Sequence, residues 1–117
     1  MNFTVPLNTD QLFAQAAQEN LYIKLIEQLN KDFNLSNEAI EISININPEE
    51  LKICLQEKIY NLIQYKFALY LNLLYIIDVS EEQIKNLDGS DILILSQNVS
   101  FLILKREWLK VWFRNKY

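Results

Sequence analysis

Glycine and histidine are nearly missing from this chain, and their scarcity excludes several classes of function. The 117 residues include one glycine, two prolines, one cysteine and no histidine. A single glycine excludes the Gly-rich phosphate-binding loops, which place several glycines close together. It also disfavours a β-rich fold, because hairpins and bulges draw on glycine. Without histidine there is no Ser-His or Cys-His dyad and no histidine metal ligand.

The lone cysteine, Cys54, bears on compartment and on metal binding. One cysteine forms no internal disulfide and supplies no zinc-thiolate cluster. The first thirty residues lack the positive start and long apolar run of a signal peptide. The longest uncharged runs, residues 67–77 and 92–104, have 11 and 13 residues, fewer than the roughly 20 that span a bilayer. We therefore expect a soluble protein of the cytoplasm, where thiols stay reduced.

The length of the chain fits one domain. A protein of 117 residues buries roughly 65% of its unfolded surface, enough for a core without disulfides or metals. We predict a single helical domain over residues 1–117. Residues 1–8 are expected to form an irregular N-terminal arm, since Pro6 interrupts any early helix. Residues 105–117 are expected to form the basic, aromatic end of the last helix.

The spacing of apolar residues predicts two long helices in the first two thirds of the chain. Over residues 10–33 apolar side chains recur at steps of three and four, with Thr9 or Asp10 as the cap. Asn47 and Pro48, followed by two glutamates, are typical of a helix start. Nothing breaks the chain again before Asp78, which predicts a helix over residues 48–77. Its second half, FALYLNLLYII, has no polar face and must be covered by the fold or by another subunit.

Two further helices follow. Ser80 and Gln83 match a capping box that opens a short helix, and we expect Gly89 to end it in the left-handed conformation. Ser90 or Asp91 starts a third long helix, which runs to about residue 114. The predicted fold class is therefore all-α: a helical bundle of three long helices plus one short helix.

An extended, Ile-rich segment separates the first two predicted helices. Ile40, Ile42, Ile44 and Ile46 alternate with polar residues, which is the period-2 pattern of a strand. The chain has no second alternating segment to pair with it. We favour an extended arm lying over the helices; a strand paired with its twin in a dimer and a solvated loop are the alternatives.

Acidic residues surround the predicted short helix. They are Asp78, Glu81, Glu82, Asp88 and Asp91. Such residues offer oxygen ligands to a hard cation, but a calcium-loop template centred on Gly89 has apolar residues where it requires acids. We attribute the cluster to the preference of acids for helix starts and predict no metal site.

Other polar residues within the helices also have plain structural explanations. Cys54 lies on an inward stripe, where cysteine is usually a small apolar residue. Asn72 is the one amide in residues 67–77 and either specifies register or oligomeric state or bonds locally at a wet edge. With no catalytic residue, cofactor or metal predicted, we expect the protein not to be an enzyme.

The C-terminal segment has the strongest charge contrast in the chain. Residues 105–117 carry five cations and one acid, a net charge of +4, so a total of −4 leaves −8 for the other 104 residues. Arg106, Lys110 and Arg114 recur every four residues and form one line along a helix, here called the basic ridge. Trp108 and Trp112 lie away from it.

These five residues are the candidate partner-binding residues, and three interpretations stay open. In the first, the indoles pack into the core while the cations face the acidic body. In the second, the segment binds another protein. In the third, it binds anionic lipid or nucleic acid, although the acidity of the whole chain disfavours nucleic acid.

Residues 74–81, L-Y-I-I-D-V-S-E, resemble an L-Y-R-I-D-V-x-E signature of small bacterial all-helical proteins. Those proteins are similar in their basic C-terminus, with a K-R-x-x-x-K pattern like Lys105, Arg106 and Lys110 here. The resemblance covers about the last 50 residues and implies a helical fold and a bacterial source. The chain departs from the signature at Ile76, where the family has arginine. The family has no assigned activity, so the resemblance implies none.

These observations favour a non-catalytic protein–protein interaction or oligomerisation module, in a homodimer or a larger complex. The reason is an excess of apolar surface on helices that three long helices do not cover alone. The alternative is a peripheral binder of anionic lipid or nucleic acid that uses the basic aromatic helix end.

Overall fold

The computed structural model describes residues 3–116 and confirms the all-α class. It has six helices in this range: α1 Thr9–Gln18, α2 Tyr22–Leu35, α3 Pro48–Tyr65, α4 Phe67–Ile77, α5 Glu81–Lys85 and α6 Ile92–Lys116. Residues 3–8 are irregular, as predicted for the arm. The first two residues of that arm and Tyr117 of the basic segment lie outside the described residues.

Four of these six helices, α1, α3, α5 and α6, begin with a short polar side chain that accepts a backbone N–H of the first turn. The bonds run from Gln11 to Asn8 (2.8 Å), from Glu50 to Asn47 (2.9 Å), from Gln83 to Ser80 (3.3 Å) and from Leu93 to Asp91 (2.9 Å). The predicted starts at residues 47, 80 and 91 are confirmed. The cap of α1 is Asn8, one residue before the predicted position.

The longest helix, α6, is the central element, and each of the other five helices packs against it. Its buried side chains include Val99, Ile103 and Trp108, all without solvent exposure. Trp108 is the largest fully buried side chain among residues 3–116. Because aromatic side chains bury the most apolar surface per residue, this indole is a main anchor of the core.

The predicted single helix over residues 10–33 is instead two helices, α1 and α2. Asn20 lies between them in the left-handed conformation, with φ 57°. Its N–H donates to the carbonyl of Ala17 (3.1 Å), and the N–H of Leu21 donates to that of Ala16 (2.9 Å). These two bonds form a Schellman motif, which ends α1. Apolar spacing continues across the break because both helices face the same core, so periodicity alone missed it.

The same device ends two other helices. Asn37, after α2, has φ 63°, and Asp78, after α4, has φ 70°. The residues that follow them, Glu38 and Val79, donate back to Phe33 (3.1 Å) and Leu74 (3.0 Å). Asn and Asp adopt this conformation at lower cost than other side chains, so they replace glycine here.

Gly89 does not have the role predicted for it. The short helix α5 ends at Lys85, and Gly89 does not have a positive φ. The prediction that Gly89 ends α5 as a left-handed cap is therefore wrong. The turn after α5 closes through ordinary right-handed residues, which need no glycine.

The predicted helix over residues 48–77 is also interrupted, at Lys66, with φ −141° and ψ 56°. Hydrogen bonds continue across the break: Lys66 N–H donates to Leu62 (2.9 Å), and Tyr70 N–H donates to Lys66 (3.0 Å). The change of direction lets α4 pack against α2 and α6 as well as α3. No glycine or proline marks the site, so tertiary packing produces it. With both breaks, the bundle of three long helices plus one short helix becomes a bundle of six.

The buried carboxylate of Glu38 lies beside the Lys66 break. Its oxygens lie 2.9 Å from Lys58 Nζ and 3.6 Å from Lys66 Nζ. The hydrogen bond from Lys58 holds the pKa of Glu38 below its usual value despite burial. The carboxylate therefore remains charged and ties the end of α2 to α3 and to the break at Lys66.

The Ile-rich segment lies along the helices without forming a strand. Asn30 on α2 donates to the Ile42 carbonyl (2.8 Å) and accepts from the Ile42 N–H (2.7 Å). Tyr22 donates its hydroxyl to the Ile46 carbonyl at 2.7 Å. Ile42 is buried, whereas Ile44 is exposed. Side chains of α2 thus satisfy backbone groups that a partner strand would otherwise pair with, which agrees with the favoured arm.

Candidate functional site

The basic ridge makes its contacts inside the chain. Arg106 Nη2 lies 3.1 Å from Asp78 Oδ2. Arg114 Nη1 donates to Gln28 Oε1 at 2.7 Å. Lys110 Nζ lies 2.9 Å from Asp32 Oδ2. Each of the three cations thus meets an oxygen on α2 or at the end of α4.

Both tryptophans of the C-terminal segment are buried. Trp108 Nε1 donates to Gln15 Oε1 at 3.1 Å. Trp112 is 5% exposed, and its ring meets that of Phe3 edge-on, with centroids 5.2 Å apart. The five sequence-predicted residues are therefore on one helix, but the structure separates them into buried indoles and paired cations. This arrangement matches the first of the three interpretations for the segment.

A buried carboxyl cluster, which sequence analysis missed, links α2 to α6. It contains Gln28, Asp32, Glu107 and Lys110. Glu107 has no solvent exposure, and its Oε1 lies 2.8 Å from Lys110 Nζ. Asp32 Oδ2 accepts from Gln28 Nε2 (3.0 Å) and from Lys110 Nζ (2.9 Å). In the sequence Glu107 is simply the one acid of a basic segment, and 75 residues separate it from Asp32, so no local signal pairs them.

The two carboxyl groups of the cluster hold different protonation states. Burial, together with the hydrogen bond to Asp32, raises the pKa of Glu107 to about 8. Burial acts on Asp32 in the same direction, but hydrogen bonds from Glu107, Gln28 and Lys110 outweigh it and lower the pKa of Asp32. At neutral pH Glu107 is therefore the proton donor and Asp32 the anion, neutralised by Lys110. The cluster is a buried, charge-balanced connection between α2 and α6.

An uncharged exposed surface lies on α4, whose 11 residues include no charge. Five of its six exposed residues, Phe67, Ala68, Leu71, Asn72 and Tyr75, lie on one side and are here called the α4 face; the sixth, Leu69, lies apart from them. At 100° per residue they fall within about 140° of the helix surface. Phe67 is 54% exposed, Leu71 50% and Tyr75 81%. The opposite side of α4 is buried in the core, so the helix that lacked a polar side in the sequence leaves one apolar side outside.

An apolar groove adjoins this surface, between α4 and α5. The α4–α5 groove has a volume of about 600 Å³. It is lined by apolar residues (Leu71, Leu74, Tyr75, Val79 and Ile84) and also by Asp78, Ser80, Glu81 and Lys85. Together the uncharged α4 face and this groove, whose lining includes three charged residues, form one contact surface. The apolar sequence of residues 67–77 predicts that this segment needs cover, but it does not indicate which side stays exposed.

Two kinds of site have no support among residues 3–116. Within that range no three or more acidic or cysteine side chains gather as metal ligands. No helix described there is long and apolar enough to cross a membrane.

Comparison of the chain with family models, curated proteins and solved structures finds no significant match.

Proposed function

We propose that this chain is a non-catalytic protein–protein interaction or oligomerisation module whose contact surface is the α4 face. The observation that supports the proposal is the run of 11 residues in α4 without a charge, with Phe67, Leu71 and Tyr75 exposed on one side. Exposed apolar patches of this kind mark interaction surfaces more often than isolated exposed residues do.

The energetics of the α4 face suit association. Fully burying one large apolar side chain contributes about 1.5–3 kcal/mol, and the face offers Phe67, Leu71 and the ring of Tyr75. No charged group on α4 has to leave water when a partner covers it, so the desolvation cost is small. Tyrosine and phenylalanine are also enriched in the buried centres of protein interfaces.

The alternative function, binding of anionic lipid or nucleic acid through the basic ridge, has less support. Arg106, Lys110 and Arg114 each have an oxygen partner within the chain. A phosphate would have to compete with these contacts, and with Asp32 at a buried position. We further propose a cytoplasmic, bacterial setting, from the single thiol and the resemblance in residues 74–81.

Site-specific photo-cross-linking in cells tests the proposed function. A photoreactive amino acid at position 75 should yield a discrete protein adduct, because Tyr75 is the most exposed large side chain of the α4 face, at 81%. The matched control is position 27, an exposed residue on α2, which should yield none. Adding Leu71→Asp should remove the adduct at position 75. Equal adducts at both positions, or none at position 75, would contradict the proposal.

A further inference from the structure

We propose that the α4 face binds a second copy of itself, with the two α4 helices antiparallel across a two-fold axis that passes between Leu71 and Asn72. This inference rests on the proposed function and names its partner. A two-fold dimer uses the same surface on both copies, so that surface must be self-complementary. Three properties of the α4 face meet this requirement.

The first property is the distribution of charge along α4. The helix itself is uncharged, Lys66 precedes it and Asp78 follows it. Their side chains are 56% and 80% exposed. Antiparallel packing brings Lys66 of one copy near Asp78 of the other, whereas parallel packing brings like charges together. Both groups have partners within the chain, Glu38 and Arg106, but their exposure leaves room for a second contact. The helix dipoles also favour the antiparallel arrangement.

The second property is the pairing of small and large side chains. With the axis between residues 71 and 72, Ala68 of one copy lies opposite Tyr75 of the other. Tyr75 is the most exposed large side chain of α4, at 81%, and Ala68 leaves space for its ring. Phe67 of the second copy lies at the end of the α4–α5 groove near Tyr75 and Ile84. Packed helix faces interdigitate when small side chains on one helix lie opposite large side chains on the other.

The third property is the position of Asn72 beside the axis. An amide side chain both donates and accepts, so the two copies of Asn72 satisfy each other when they meet there. A single amide in an apolar helix interface fixes register and oligomeric state. Of the two roles that the sequence allows for Asn72, this arrangement corresponds to the one that specifies register.

The size of the surface sets the expected strength. A helix of 11 residues is about 16 Å long, so we expect the α4 face to bury less than the roughly 800 Å² per partner of a stable complex. We therefore expect a reversible dimer with a dissociation constant on the order of micromolar, visible as a mass that rises with concentration.

Light scattering with size-exclusion chromatography tests self-association, using two matched variants of the full chain. Leu71 and Ile94 are 50% and 51% exposed, and only Leu71 lies on the α4 face. Leu71→Asp should abolish the dimer, whereas Ile94→Asp should leave it unchanged; circular dichroism checks that both fold. A wild-type monomer at every concentration would overturn the inference, and so would a dimer that Leu71→Asp leaves intact. The proposed function would survive either result if position 75 still cross-links specifically to a different protein.

Disulfide cross-linking tests the antiparallel geometry in a Cys54→Ser background. Asn72→Cys should form a covalent dimer on mild oxidation, while the exposed control Glu27→Cys should not. In an equal mixture of Ala68→Cys and Tyr75→Cys chains, the mixed dimer should exceed the Ala68→Cys homodimer. Failure of Asn72→Cys to cross-link a chain that dimerises would overturn the axis position. A dominant Ala68→Cys homodimer would overturn the antiparallel direction.

Discussion

The α4 face and the C-terminal segment of α6 are the two unusual regions of this chain, and the fold treats them in opposite ways. The C-terminal segment, with its cations and tryptophans, resembles a binding site in sequence, yet its side chains meet partners within the chain. The α4 helix resembles a buried core element, yet Leu71 and Tyr75 remain exposed. The cations of the C-terminal segment contact oxygens of the same chain. Within residues 3–116, the small bundle has no further helix to cover the exposed apolar side chains of α4.

The largest expected contrast between these regions comes from truncating one aromatic in each. Trp108→Ala should lower the free energy of unfolding by about 4 kcal/mol, because it opens a cavity around a fully buried indole. Tyr75→Ala should change it by less than about 0.5 kcal/mol in the monomer, because Tyr75 is 81% exposed. Urea denaturation at low protein concentration measures both. Similar costs for the two substitutions would contradict the division into buried segment and exposed face.

Removing one cation from the C-terminal segment should have the next largest effect. Lys110→Ala leaves the buried anion of Asp32 without its counter-charge, which should cost about 3 kcal/mol. Lys24→Ala, at an exposed position of α2, is the matched control and should cost less than about 0.5 kcal/mol. If the Lys110 variant is as stable as its control, the cation is not part of a closed cluster and the basic ridge is free to bind elsewhere.

The buried carboxyl cluster should also make stability depend on pH. The pKa of Glu107 is raised from 4.5 to about 8, so the folded state binds its proton more tightly than the unfolded state does. This contribution is complete below about pH 4.5 and is lost as pH rises through 8. One pKa unit corresponds to about 1.4 kcal/mol. Even if the pKa of Glu107 is raised by only half as much, the free energy of unfolding should fall by about 2 kcal/mol between pH 5 and 9.

The control for this pH dependence is Glu107→Gln, which keeps the shape and a donor for Asp32 but does not titrate. Its stability should vary much less over the same range, as judged from urea midpoints at pH 5, 7 and 9. Because the pKa of Asp32 is lowered from 3.8, its contribution to stability changes only as pH falls below that value, outside the range of pH 5 to 9. A wild-type stability that rises from pH 5 to 9 would show that Glu107 is not held protonated.

The smallest effects are expected at Asp78, which ends α4 and contacts Arg106 of the other region. Asp78→Asn keeps a side chain that tolerates the left-handed conformation and removes only an exposed ion pair, which is worth about 0–1 kcal/mol. Asp78→Ala loses that tolerance as well and should cost about 1 kcal/mol more. Thermal unfolding of the two variants separates the contributions. Equal melting temperatures for both would mean that backbone conformation at Asp78 has no influence on the end of α4.

Local interactions were readable in the sequence, and distant ones were not. The starts of α3 and α5 at Asn47 and Ser80 depend on neighbours three residues away, and both predictions are confirmed. The break at Lys66 has no local cause, since α4 turns there to reach α2 and α6. For the candidate site, sequence analysis found the helix with the apolar excess but not the exposed side, because that depends on which side the core covers.

Sequence alone determined the helical class, the three helix starts and the absence of histidine and Gly-rich chemistry, because composition and capping act within a few residues. The scarcity of glycine also required other residues to end helices, but only the tertiary structure shows that Asn20, Asn37 and Asp78 do so. The structure likewise decided that Glu107 meets Asp32 and that the α4 face stays open. Those outcomes depend on how helices far apart in the chain share one small core, which no single segment encodes.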